Sequence, residues 1–189
     1  KAYHYPSDTQ LNNADVVVFY CYVDWNTERF DKLQNYVKNG GGLVIIHNTV
    51  WTNDPRLSEL IGLSFIFDKS KYIEGPCQID LNTEKDICLN MPKSFNLIDE
   101  VYYQGKNQKN IEPVATWNQK DQQDKTQTWP IVWKYNLGKG RVFVNMLGHY
   151  RWTFDDPFYR LITLRGIAWA GQNDIYRFDK NSLLDSWSR

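Results

Sequence analysis

The apolar residues of this chain fall into short unbroken runs separated by amphipathic stretches. Val16-Val17-Val18-Phe19-Tyr20 is uninterrupted and of strand length, which predicts a strand buried on both faces in a parallel sheet. Over 26–39 the rhythm changes: Phe30, Leu33 and Val37 recur at helical spacing, Asn26 or Thr27 supplies the amino-terminal cap, and Glu28 sits in the first turn. Gly40-Gly41-Gly42 ends that helix, and Leu43-Val44-Ile45-Ile46 predicts a second buried strand that runs straight into His47 and Asn48. Strand, helix and strand in this order form a right-handed crossover, which sets the two strand ends side by side. Cys21, Tyr22, Asp24 and Trp25 are therefore expected on one rim with His47, Asn48, Thr49 and Trp51. In open α/β folds that rim is where ligands bind.

Further along, a short helix is predicted over 55–61, with Leu57, Leu60 and Ile61 as its stripe and Gly62 closing it. β segments are expected over 64–67 and 77–81 with a charged loop between them. Asp99 and Glu100 then stand beside Val101, Tyr102 and Tyr103, followed by a strand over 111–117 and a polar loop over 118–128. The apolar runs 130–135 and 141–147 flank Gly138 and Gly140, a hairpin signal, and the second arm leads into Gly148-His149. Asp155-Asp156-Pro157 opens a helix whose apolar face lasts to Gly171. Residues 1–15 read as a polar, turn-like lead and 176–189 as a polar tail. The expected organisation is one α/β domain over 1–175, with an inserted or edge β portion from about 63 to 135.

Composition narrows the partners. A length of 189 residues suits a single core. With 22 basic and 22 acidic residues there is no net field to attract nucleic acid or an anionic membrane. No apolar run approaches the roughly 18 residues of a membrane span. A small molecule or another protein is the expected partner, the latter being further domains or a second copy of the chain. Eight Trp and 12 Tyr exceed what a core of this size needs, and stacking on a ligand is one outlet for the surplus. The chain opens at Lys1 without methionine or a signal-peptide pattern, which reads as a processed form or a fragment and leaves the compartment unread from the start, a secreted or periplasmic setting being expected ahead of a cytoplasmic one. Three cysteines are an odd number without paired spacing, so free thiols are expected ahead of a Cys77–Cys88 bridge.

The candidate chemistry centres on His47 and His149, each following a buried strand, together with Glu100, the longer of the adjacent Asp99 and Glu100. Two histidines and a carboxylate suit a divalent metal such as zinc, and equally a metal-free acid–base cluster; their spacing leaves both open. Asn48, Trp25, Trp51, Tyr102, Asn145 and Trp152 are the candidate substrate contacts, the tryptophans by stacking on a sugar ring. Each has a plainer reading: a histidine satisfying backbone groups, a solvated acid pair, rim packing of aromatics, and Arg141 as a hairpin or carboxylate anchor. There is no G-x-S-x-G, and Cys21 follows a strand without a glycine-flanked elbow, so nucleophilic hydrolases recede. Gly138-Lys139-Gly140 lacks the strand-to-helix setting of a phosphate loop.

Taken in order, several pieces resemble the trehalose-utilisation, or ThuA-like, family: Gly40 to His47, Asp99-Glu100-Val101-Tyr102, Pro130-Ile131-Val132-Trp133, Gly138 to Phe143, Leu147-Gly148-His149, Asp156-Pro157, and Gly166-Ile167-Ala168-Trp169-Ala170. The resemblance implies a flavodoxin-like three-layer sandwich with a mostly parallel sheet, the fold of class I glutamine amidotransferases. It puts His47 where those relatives carry their cysteine nucleophile, which argues against amide transfer. It also implies a place in the catabolism of disaccharides or their keto derivatives. The family's first strand and helix, before the strand at 16–20, are expected to be missing here. Two functional classes follow: a sugar-processing enzyme built on His47, Glu100 and His149, or a non-catalytic carbohydrate-binding or assembly module that keeps the fold.

Overall fold

The computed structural model describes residues 5–182, apart from 85, 108–109 and 121–122. In chain order the elements are α1 (Asp8–Asn12), β1 (Val16–Phe19), α2 (Thr27–Lys38), β2 (Gly42–Ile46), α3 (Arg56–Ile61), β3 (Leu63–Ser64), β4 (Lys71–Leu81), β5 (Ser94–Tyr103), β6 (Lys106–Asn107), β7 (Glu112–Lys120), β8 (Thr126–Leu137), β9 (Gly140–Asn145), α4 (Pro157–Ala170) and α5 (Asp179–Ser182). Short 3-10 turns at His47–Val50, Asp86–Cys88 and Arg151–Asp155 complete the set.

Local chemistry explains the helices that carry the site. The Asn26 side chain accepts from the Arg29 amide to start α2, which buries Phe30, Leu33 and Val37. Asp156 accepts from the amides of Phe158 and Tyr159, with Pro157 in the first turn, and so starts α4. All five residues of β2 are buried. Gly166 lets α4 lie directly on β9, because a β-carbon there would run into the Phe143 ring.

Seven strands form one sheet in the order β1-β2-β9-β8-β7-β4-β5. Pairing is parallel only for β1 with β2 and β2 with β9; the other neighbours run antiparallel. The sheet is thus mixed and not mostly parallel. The reason is connectivity: among the described residues no helix long enough for a crossover separates β4 through β9, and short connections join only antiparallel neighbours. β1 is an edge strand, with Val18 44% exposed, so it is not buried on both faces as its apolar run suggests.

Other expectations shift for related reasons. Much of the predicted polar loop over 118–128 is ladder, pairing Asn118 with Thr128 and Lys120 with Thr126. These residues are polar because that extension is exposed, not because it lacks strand structure. The expected charged loop before 77 is the first half of β4, paired with β5 from Lys71↔Tyr103 onward. Within the expected tail, α5 packs on α4 through Arg165, whose guanidinium bonds both carboxylate oxygens of Asp179 at 3.0 and 2.7 Å; residues 183–189 lie outside the described ones. All three cysteines are free, Cys77 and Cys88 both buried.

One feature of the sheet places the site. The β4–β5 ribbon pairs with β7 only at Asp80↔Thr116 and Leu81↔Ala115. It folds back so that β5 lies against the exit of β9, with the Tyr102 amide on the Met146 sulfur and Asp99 on the Gly148 and His149 amides.

Candidate functional site

β2 and β9 are adjacent and in register, Ile46 opposite Asn145, so the residues that follow them emerge together. His47 takes a left-handed φ of 53°, which ends β2 abruptly and begins the turn His47–Val50. Non-glycine residues in that region cost energy and cluster at functional sites. Gly148, with φ of 115°, makes the corresponding bend after β9. A β-carbon there would meet the Tyr159 hydroxyl at 2.7 Å, so the close approach of this loop to α4 needs glycine. The rim is fastened laterally: the Thr49 hydroxyl donates to the Cys21 carbonyl, and the Tyr20 hydroxyl donates to the Gly148 carbonyl.

His47, Glu100 and His149 converge. His47 Nε2 lies 3.1 Å from His149 Nδ1 and 3.5 Å from Glu100 Oε2, and His149 Nδ1 lies 3.1 Å from the same oxygen. His47 and Glu100 are buried, whereas the His149 side chain is 36% exposed and forms the solvent side of the cluster. Burial holds the pKa of His47 below the ordinary histidine value, against the pull of the Met146 carbonyl and of Glu100. Its ring is therefore kept neutral.

His47 Nδ1 lies 3.1 Å from the Met146 carbonyl, which only accepts, so the ring proton sits on Nδ1 and Nε2 presents a lone pair. The Tyr102 hydroxyl gives its hydrogen bond to Glu100 Oε2 at 2.7 Å. Burial and then Glu100 push that phenol far above its usual pKa, so it remains a donor. Although the Tyr102 oxygen is 3.1 Å from His47 Nε2, it has no hydrogen left to offer it. Lone pairs of His47 and Glu100 thus face each other with His149 Nδ1 between them, a place for a hydrogen on that nitrogen or for a cation.

A cation fits the donor set. Around a tetrahedral ion with ligand distances of about 2.0–2.1 Å, ligand atoms stand roughly 3.3 Å apart, and the three separations here bracket that value. The Nδ1 contact of His47 with a backbone carbonyl is the arrangement that orients metal-binding histidines.

The remaining candidates divide. Tyr102 and Trp51 belong to the cluster, Trp51 being half-buried, edge-on to Tyr102 and stacked on Phe67. Trp152 is 54% exposed, its indole fixed on the Ile98 carbonyl and its ring stacked 4.3 Å from Tyr150, which meets His149 edge-on. Asn145 is buried and committed to Thr163 and the Leu147 amide, fastening the exit of β9. Trp25 stacks on Phe30, and Asn48 lies in the turn after His47. Arg141 bonds the Trp169 carbonyl and lies over its ring. Sequence reasoning missed Tyr150 and Glu74, whose carboxylate accepts from the Tyr150 hydroxyl at 2.9 Å, and set Asp99 aside. Glu74 stands directly opposite Glu100 in the β4–β5 register, a relation that no local pattern reveals.

Solved structures of similar fold include a putative ThuA-like protein from Bacteroides uniformis, 20% identical, TM-score 0.69, covering 92% of this chain and 76% of that one. Another from Parabacteroides merdae is 21% identical, TM-score 0.66, covering 83% and 70%. The fold also recurs within a β-galactosidase from Bacillus circulans sp. alkalophilus, 12% identical, TM-score 0.52, where 83% of this chain matches 21% of that enzyme. No curated protein matches in sequence. The family described as trehalose utilisation matches residues 3–170, a span that takes in β1, β2, β5 and β9 and every member of the cluster. On that match the chain belongs to the ThuA family.

Proposed function

We propose that this chain is a sugar-processing enzyme whose centre is His47, Glu100 and His149 holding a divalent metal such as zinc. The observation that carries it is the convergence of their three ligand atoms, at 3.1 to 3.5 Å from one another, with the tautomer of His47 set by the Met146 carbonyl. When bound, such an ion supplies charge stabilisation for an oxygen of the substrate. Tyr102 holds the Glu100 carboxylate in place and keeps its own proton. His149, the exposed member, is the group a substrate meets first. Beside it, Tyr150 and Trp152 offer an aromatic wall and Glu74 an acceptor for sugar hydroxyls. The family's description, trehalose utilisation, supports a disaccharide or a keto derivative as the substrate class.

Zinc titration by calorimetry on wild type and His47→Ala tests the centre. One equivalent bound by wild type, and affinity reduced at least tenfold in the variant, is the expected result. No zinc bound by either would remove the metal and leave the proton-sharing cluster. A second reading, a carbohydrate-binding or assembly module without chemistry, is favoured by the recurrence of the fold as a fraction of a larger β-galactosidase. It predicts that trehalose binding survives His47→Ala unchanged and that no sugar is turned over.

A further inference from the structure

The carboxylate of Asp99 is completely buried, and among the described residues it forms no ion pair. Its three hydrogen bonds all come from backbone amides: Glu100 at 2.8 Å and His149 at 2.9 Å on Oδ1, and Gly148 at 2.8 Å on Oδ2. Two of those donors are the amides of residues that carry ligand atoms, one on β5 and one after β9, 49 residues apart in the chain. A single rigid group therefore spans both and sets the distance between them. The Gly148–His149 segment has few other restraints on its backbone: the Tyr20 hydroxyl on the Gly148 carbonyl, and the contact of Gly148 with α4.

We propose that Asp99 is the positioning residue of this centre, holding the amides of Glu100 and His149 on one carboxylate. This rests on the metal reading above. Asp99→Asn keeps the shape, removes the charge and replaces one acceptor with an NH2 group that faces an amide donor.

Cobalt(II) serves as the probe, because its visible absorption reports ligand number and geometry as well as affinity. The expected result for Asp99→Asn is a 10–100-fold weaker cobalt affinity, as for other groups that orient metal ligands, with bands moved towards those of His149→Ala. Near-ultraviolet circular dichroism separates this from global unfolding. Wild-type affinity and spectrum in Asp99→Asn would overturn the proposal. Amide NMR of the metal-free wild type gives a readout that needs neither metal nor variant: the Glu100, Gly148 and His149 protons are expected downfield and protected from exchange. If they are neither, the clamp does not exist. Absence of cobalt binding by wild type, with those amides downfield, would instead refute the metal reading while leaving the clamp.

Discussion

Cysteine reactivity depends on whether the thiolate forms, and burial decides that here. It pushes the Cys77 thiol up to about 11 and the Cys88 thiol up to about 12, while each contacts a backbone carbonyl, of Leu97 and Val114 respectively. Cys21 lies exposed on the rim. Iodoacetamide at about pH 8 is therefore expected to label Cys21 alone in the folded protein and all three thiols after denaturation, as read by mass spectrometry. Labelling of Cys88 under native conditions would contradict its placement. If alkylated Cys21 also leaves activity intact, a nucleophilic role for it loses its remaining support. At this scale the two histidines were legible, because a polar side chain directly after a buried run is conspicuous. Trp51 was visible as an aromatic on the rim, yet its edge-on packing against Tyr102 depends on where β5 lies and has no trace in the neighbouring sequence.

Elements whose local signals agree were readable with correct boundaries to within a residue or two. In α2 and α4 the cap, the apolar stripe and the terminal glycine coincide, and in β2 a fully buried run sits between glycines and a polar end. β4, β5 and the β7–β8 extension were not, since alternating exposed residues on a two-stranded ribbon resemble a loop in composition. The close contact of α4 with β9 gives an element-scale prediction. Gly166→Ala forces Phe143 or the helix to move and is expected to cost about 1–3 kcal/mol, measured by urea denaturation. Unchanged stability would mean that α4 can back away from the sheet without loss.

Across the whole molecule, long-range polar ties hold the ends of the chain to its middle. Arg165 on α4 is buried and donates to the carbonyls of Ile87 and Leu89 as well as to Asp179 of α5. Breaking a buried ion pair by deleting one partner costs about 3–5 kcal/mol. Asp179 is 32% exposed and both carbonyls stay in place, so roughly half of that is expected for Asp179→Ala in thermal or chemical denaturation. A change within a few tenths of a kcal/mol would show that α5 adds nothing to the fold. The fold-back of the β4–β5 ribbon is the other whole-molecule feature, and it alone brings Asp99, Glu100 and Tyr102 to the ends of β2 and β9.

By itself the sequence determined the βαβ crossover, the hairpin leading into His149, the two histidines at neighbouring strand ends and the family. Each depends on apolar period, capping residues and glycines, which act over a few positions of chain. The tertiary structure decided the mixed sheet, the edge position of β1, and the meeting of Asp99, Glu100, Tyr102 and Trp51 at the ends of β2 and β9. Those depend on strand order and on one ribbon bending over its own sheet. His47 and His149 are 102 residues apart, and the group between them comes from a strand at the opposite edge of the sheet. Local pattern brings a side chain to the end of its strand; the distance between side chains on different strands is set by packing of the whole chain.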